Sequence, residues 1–378
     1  MKNHSIPEIV ISGSGVWTPP YVITNAELVE SYNAYAKKFN HENAEAIARG
    51  QMEEKYPSSE RFIQKASGIK NRFVYEKEGI LDINRMCPKF PERSENELSN
   101  QAEIAVNAAR MAMKAANKTA SDIDAVIVAC TYAQRAYPAI SIEVQHELGI
   151  DGFAFDMTGA CSAATFGLHR AYDCIASGSA RCVLAINPEL VTPQVNYCDR
   201  DTHFIFGDIS TAVILEHSES CASSISFEIL STRALTRFSN NIRSNFGHTS
   251  RATDAQPYGW DKLFHQAGRK VFEEVSPIAS ELMRQHLADE GIQAEDVKKF
   301  WLHQANINMN KMVVKYLLDT SIDDDRVPNI LDTYGNTASA GSIIAFHCHH
   351  ANLKKGDIGV ICSFGAGYSV GSLILRKC

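Results

Sequence analysis

The chain has 378 residues, 45% hydrophobic and 21% charged, with a formal net charge of −7. This is the balance of a globular protein long enough for two or three domains or one large unit. Its acidic surplus excludes a general nucleic-acid binder, which needs a basic surface. No apolar run reaches the ~20 residues of a membrane span, and Met1 to Ile11 lacks the apolar core of a secretory leader. The ten cysteines include no Cys-x-x-Cys pair. Reduced thiols in a cytoplasmic protein are therefore expected, not a disulfide framework.

In chain order, Ile9 to Val16 reads as a strand ending in glycines and stopped by Pro19-Pro20. Thr24 then offers an N-cap for a helix through Ala26-Glu27-Leu28. Residues 30–60 are polar and helical in character, an inserted cap more than a core element. Residues 77–97, with Cys87-Pro-Lys-Phe-Pro91, form an irregular loop. An Ala-rich helix is predicted over Glu97 to Ala116, then a fully apolar strand over Ala125 to Cys130. Such runs alternating with helices predict an α/β fold, its parallel sheet covered on both faces.

Two internal echoes organise the chain. Phe206-Gly-Asp208 with its apolar run to Leu215 matches Phe364-Gly-Ala-Gly367 with the run to Leu375. Upstream, Ala120-Ser-Asp-Ile-Asp before an apolar strand matches Ala294-Glu-Asp-Val-Lys. They imply related halves, 1–218 and 219–378, packed as one body with a site where their strand ends meet.

The chemistry gathers at strand ends. Phe153 to Phe155 runs into Thr158-Gly-Ala-Cys161-Ser-Ala-Ala164, a small-residue turn opening a helix. Such neighbours permit close approach to the sulfur, and a helix N-terminus favours a thiolate. Three more segments carry polar groups: Leu302-His303-Gln-Ala-Asn306, Tyr334-Gly-Asn336-Thr337, and the glycine turn from Phe364 to Tyr368. Each alone has a structural reading, as an inert thiol, a hydrogen-bonded histidine or an ordinary turn. Together they supply a thiol nucleophile, a histidine, an amide and backbone donors for an oxyanion.

The motifs Thr-Gly-Ala-Cys161-Ser-Ala, His303-Gln-Ala-Asn, Tyr-Gly-Asn336-Thr and Phe-Gly-Ala-Gly367, in that order, resemble the β-ketoacyl-acyl carrier protein synthase III family of the thiolase superfamily. The resemblance covers nearly the whole chain except inserts near 30–57 and 77–97. It implies a thiolase-like fold of two pseudo-repeated βα halves in a five-layer αβαβα arrangement. It implies a homodimer acting in fatty acid biosynthesis, with no metal or bound organic cofactor. Cys161 would take an acyl group from acyl-CoA, and malonyl-acyl carrier protein would lose CO₂ and attack it. His303 and Asn336 would stabilise the enolate, and the N–H groups of Cys161 and Ala366 the tetrahedral oxyanion.

The match departs where coenzyme A should bind. Phe62 stands for a family tryptophan, Ala66 for an arginine with Lys65 beside it, and Asn308 for a second arginine; Arg200 is retained. Phe62, Lys65, Arg200 and Phe364 are the expected substrate contacts. Tyr137 matches a position that reaches into the partner's acyl pocket, and the inserts border the entrance, so a primer longer than acetyl is expected. Hydroxymethylglutaryl-CoA synthase is disfavoured, since its general-base Glu falls at Thr131. A condensing enzyme of secondary metabolism and a non-catalytic acyl-CoA binder are the alternatives. His347-Cys-His-His350, consecutive on a predicted helix, points in several directions and is not expected to hold a metal.

Overall fold

In the computed structural model, which describes residues 7–245, 259–318 and 325–378, the apolar runs become strands of one large sheet. β1 (Ile9–Trp17) and β2 (Tyr21–Thr24) lead into α1 (Asn25–Glu42), α2 (Ala44–Ala48), α3 (Glu60–Ser67), β3 (Asn71–Val74) and α4 (Glu78–Leu81). There follow α5 (Asn100–Ala116), β4 (Ala125–Cys130), α6 (Ile140–Leu148), β5 (Phe153–Thr158), α7 (Ala163–Ala176), β6 (Cys182–Glu189) and β7 (Ile209–His217). The rest runs β8 (Phe227–Ser239), β9 (Ile242–Arg243), β10 (His265–Gln266), α8 (Gly268–Asp289), β11 (Val297–Leu302) and α9 (Ile307–Leu318). It closes with α10 (Leu331–Tyr334), α11 (Gly341–His349), β12 (Ile358–Gly365) and β13 (Gly367–Lys377).

Local signals explain the helix starts. Thr24 caps α1 through a full capping box with Glu27. The helix expected from Glu97 begins at Asn100, because Ser99 takes the N-cap and its hydroxyl accepts the Ala102 N–H.

The nine strands lie in the order β11-β12-β13-β8-β1-β7-β6-β4-β5. β1 meets β8 only through Val10 and Ile11, opposite Glu228 and Phe227. So narrow a junction leaves two arms that stack face to face, and side-chain alternation reveals the layers. Ile127, Val183 and Val213 from one arm share a core with Trp301, Ile361 and Leu373 from the other, around Leu168 of α7 and Phe346 of α11. Their neighbours Val126, Leu184 and Ile214 turn outward to α5 and α6, and Phe300, Val360 and Ile374 to α8 and α9. The result is the expected five-layer αβαβα stack, but the expected parallel sheet is corrected to a mixed one: β4 runs parallel to β5 and β6, and β11 to β12, while the other neighbours in the nine-stranded sheet pair antiparallel. Both echoes land on matching elements: single turns at Ala120–Asp122 and Ala294–Asp296 precede β4 and β11. β7 and β13 each pair antiparallel with the preceding strand, β6 and β12.

The first insert packs down on the body. The buried Tyr32 ring stacks 4.6 Å from His203, Asn33 exchanges two hydrogen bonds with Ser58, and Lys55 Nζ donates to the Cys198 carbonyl. Beneath it, the Arg72 guanidinium donates to the carbonyls of Ile23 and Phe204 and to Asn25 Oδ1. Burial lowers its pKa to about 10, so it stays charged at neutral pH. Arg72→Met keeps the bulk and strands these acceptors. Hydrogen bonds to a charged group contribute about 1.5–3 kcal/mol each and do not add fully, so a loss of roughly 3 kcal/mol is expected. Urea denaturation measures it; an unchanged midpoint contradicts the bracing role.

Candidate active site

Between β5 and α7 the chain makes a tight turn at Ala160–Ser162. Ala160 has φ +46, a left-handed conformation that costs a side-chain-bearing residue about 1–2 kcal/mol. The strain presents Cys161 to the turn joining β12 and β13. A Cβ on Gly365 would lie 2.4 Å from Cys161 Cβ, so only glycine allows that approach. Backbone interactions from Ala366 and from Cys161 itself favour the thiolate, but burial outweighs them. Burial, with the charge of Glu189, pushes the thiol up to about 12. The expectation of a readily ionised thiol is therefore corrected: desolvation beats the helix N-terminus. Cys161 is not sealed off, since it lines two cavities.

His303 follows β11, its N–H bound to the Cys362 carbonyl at 2.8 Å. Its ring lies edge-on to Phe364, 5.3 Å between centroids. Burial lowers its pKa to about 4, against the opposing pull of the Ala338 backbone, so the imidazole is neutral at physiological pH. Asn336 is held on both sides: its N–H donates to Ile205, and its carbonyl accepts from Gly207. Its Oδ1 accepts from the Ala338 N–H at 2.9 Å, which leaves the amide NH₂ as a donor. His303, Asn336, Cys161 and Phe364 line one cavity of about 170 Å³ whose rim includes Ala66 and Met309. A second cavity of about 260 Å³ also opens on Cys161, between Tyr132, Val191, Phe206, Ile242 and Phe264.

The expected substrate contacts divide into two groups. The Arg200 guanidinium lies 4.0 Å over the Phe62 ring, which itself packs edge-on against Phe204. Arg200 is steadied by a bond to the Pro57 carbonyl in the insert. Lys65 is exposed, and the Asn308 amide donates to the Lys65 and Ala66 carbonyls at 3.4 Å. Asn308 thus binds backbone, where an arginine would present charge. Tyr137 is 84% exposed and lines neither cavity of its own chain. Asp208 accepts from the N–H groups of Tyr75 and Thr192 and the Thr192 hydroxyl. Among the described residues no cluster of three His, Cys, Asp or Glu could hold a metal; His347 Nδ1 pairs with Ser14 Oγ instead.

Sequence reasoning missed Glu189 and the β9–β10 pair. A carboxylate closing the largely apolar strand from Cys182 was a visible signal for the first. Ile242 and Phe264, which line both cavities, lie in a stretch without hydrophobic periodicity.

These features together define a condensing enzyme of the thiolase fold: a strained cysteine turn, two backbone donors, and a neutral histidine and amide in one cavity. Residues 155–233 match the family model 3-oxoacyl-(acyl-carrier-protein (ACP)) synthase III, and residues 287–377 match its C-terminal model. The chain is 54% identical over 349 residues to the beta-ketodecanoyl-(acyl-carrier-protein) synthase of Pseudomonas aeruginosa, covering 92% of this chain and 100% of that one. It is 30% identical over 292 residues to the beta-ketoacyl-(acyl-carrier-protein) synthase III of Brucella suis, covering 75% of this chain and 87% of the relative. The crystal structure of 3-oxoacyl-(acyl-carrier-protein) synthase III from Aquifex aeolicus superposes with TM-score 0.75 at 25% identity, over 97% and 99% of the two chains. The protein belongs to the β-ketoacyl-acyl carrier protein synthase III family of condensing acyltransferases.

A neutral His303 has a direct spectroscopic consequence. Its ring proton signal, assigned by comparison with His303→Ala, should not titrate between about pH 5.5 and 8. A midpoint near the ordinary histidine value would contradict the burial argument.

Proposed function

We propose that the protein condenses a medium-chain acyl group, delivered by coenzyme A, with malonyl-acyl carrier protein to give a β-ketoacyl-acyl carrier protein in fatty acid biosynthesis. One observation carries the reading: Cys161, His303 and Asn336 line one cavity, where the backbone of Cys161 and Ala366 favours negative charge on the sulfur. In the first half-reaction the sulfur attacks the thioester carbonyl, the two N–H groups hold the oxyanion, and coenzyme A leaves. This exchange is proton-neutral, because the Cys161 proton ends on the coenzyme A thiol; a high resting pKa does not forbid it. In the second, the malonyl carboxylate leaves as CO₂, and His303 and Asn336 donate to the thioester oxygen of the enolate. The enolate carbon attacks the acyl carbonyl, the same oxyanion site serves again, and Cys161 leaves and regains a proton from solvent. Neutral donors suit this step because they stabilise the enolate without protonating it.

The relative's name points to the primer: a ten-carbon β-keto product, less the two carbons of a decarboxylated malonyl unit, leaves an eight-carbon acyl group. The cavity of about 260 Å³ between Val191, Phe206, Ile242 and Phe264 supports an apolar chain. Each methylene buried there contributes about 0.8 kcal/mol, so octanoyl gains up to about 5 kcal/mol over acetyl. Phe62 and Arg200 offer the coenzyme A nucleotide a ring and a cation. The edge position of β5 among the described strands and the exposure of its Phe153 support a homodimer in which Tyr137 reaches a second copy's acyl cavity.

The test separates the half-reactions. His303→Ala and Asn336→Ala should still form an acyl adduct from octanoyl-CoA but lose malonyl decarboxylation by about 10²–10³, the usual effect of one such donor. Cys161→Ala should form no adduct. Equal loss of both steps in His303→Ala would overturn its assignment, and absence of any condensation product in the wild type would overturn the proposal.

A further inference from the structure

One fully buried acid lies beside the site and takes no part in the chemistry above. Glu189 closes β6 with no exposed surface. Its Oε1 accepts the N–H of Thr131 at 3.1 Å, the N–H of Ser339 at 3.3 Å and the Ser339 hydroxyl. Its Oε2 shares the Thr131 N–H at 3.2 Å. Thr131 continues β4 from Cys130, whose carbonyl holds the Gly159 N–H at the entry to the Cys161 turn. Ser339 sits in the turn Ala338–Ala340, and the Ala338 N–H fixes Asn336 Oδ1. One carboxyl group therefore bridges the backbone under the nucleophile to the turn that aims the amide.

We propose that Glu189 is a positioning residue, which locks the Asn336 turn to the floor of the Cys161 turn and sets an ionisable carboxyl group within electrostatic reach of the sulfur. The inference rests on Cys161 being the acylated residue. Burial raises Glu189 to about 7, although the bonds from Ser339 and Thr131 favour its anion. Its charge is felt by Cys161 on the facing turn, by Cys130 on β4 and by Tyr132 beyond it, each pushed upward by it. The sign follows: as pH rises through about 7, Glu189 gains its charge and thiolate formation at Cys161 becomes harder.

Glu189→Gln keeps the volume, removes the charge and turns an NH₂ toward N–H donors. Glu189→Asp keeps the charge and is too short to span both turns. The readout is the pH dependence of iodoacetamide alkylation at Cys161 in the full chain, mapped by mass. Malonyl thioester decarboxylation and acyl-adduct formation are followed in the same samples. In Glu189→Gln, alkylation should rise at a pH lower by about half a unit or more, whereas Glu189→Asp, which retains the charge, should not show that fall. Decarboxylation should slow roughly 10–100-fold in both, as expected when a catalytic group is misplaced by about 1 Å. A Glu189→Gln profile superimposed on the wild type overturns the inference, whatever the activity. Should Glu189→Gln fail to fold, Ser339→Ala replaces it: losing the hydroxyl donor must move the wild-type inflection near neutrality to higher pH, and an unmoved inflection overturns the inference. Absence of an acyl adduct on wild-type Cys161 would sink the parent reading, whereas an adduct with unmoved profiles sinks only the role of Glu189.

Discussion

The site depends on one packing constraint: two helices buried in the same layer bring their N-terminal turns together between the sheets. α7 and α11 share the central core with the inward side chains of both arms. The turns that precede them, Ala160–Ser162 and Ala338–Ala340, are built alike. Each opens on an alanine in the left-handed region, φ +46 at Ala160 and +49 at Ala338. Each continues with a small polar residue, Cys161 in one and Ser339 in the other. The two turns thus place a thiol on one side and, on the other, a hydroxyl that binds Glu189. Moving either helix along its axis would separate the sulfur from the amide that serves it.

Burial sets the electrostatics of this meeting point. The Cys161 thiol is pushed up and the His303 imidazole down, to about 12 and about 4, by the same loss of water. Both groups are neutral at rest. A charged Cys–His pair would suit a reaction that needs a standing thiolate, whereas thioester exchange followed by enolate chemistry moves charge only transiently. Backbone N–H groups, a neutral imidazole and an amide stabilise such transient charge at little reorganisation cost. On the proposed function, the resting site holds its charge-stabilising groups in reserve for the two reacting carbonyls.

How much of this was legible in the sequence depends on the scale of the signal. The strand at Ala125–Cys130, the Thr24 cap and the two echoes follow from apolar runs and capping chemistry, which are local. That Cys161, His303 and Asn336 would meet was also legible, because His303 ends an apolar strand and the other two fall in small-residue turns. The ionisation of Cys161 was not. A helix N-terminus is a local feature, whereas the desolvation that overrides it comes from packing against β12 and β13, remote in sequence. Glu189 was hidden for the same reason, since its partners Thr131 and Ser339 lie 58 and 150 residues away. The β9–β10 pair is only two residues on each side, too short for any periodicity. Ile242 of that pair and Phe264 just before β10 acquire meaning only when the fold brings them to the cavities that Cys161 lines.

The central claim is that Cys161 carries a medium-chain acyl group between two half-reactions, and a competition measures it directly. The protein is incubated with equal amounts of acetyl-CoA and octanoyl-CoA without malonyl donor, then digested and its Cys161 peptide weighed. The account predicts a single adduct on that peptide with the mass of octanoyl, discharged when malonyl-acyl carrier protein is added. An acetyl adduct, an adduct on another cysteine, or an octanoyl adduct that malonyl-acyl carrier protein does not discharge would contradict it.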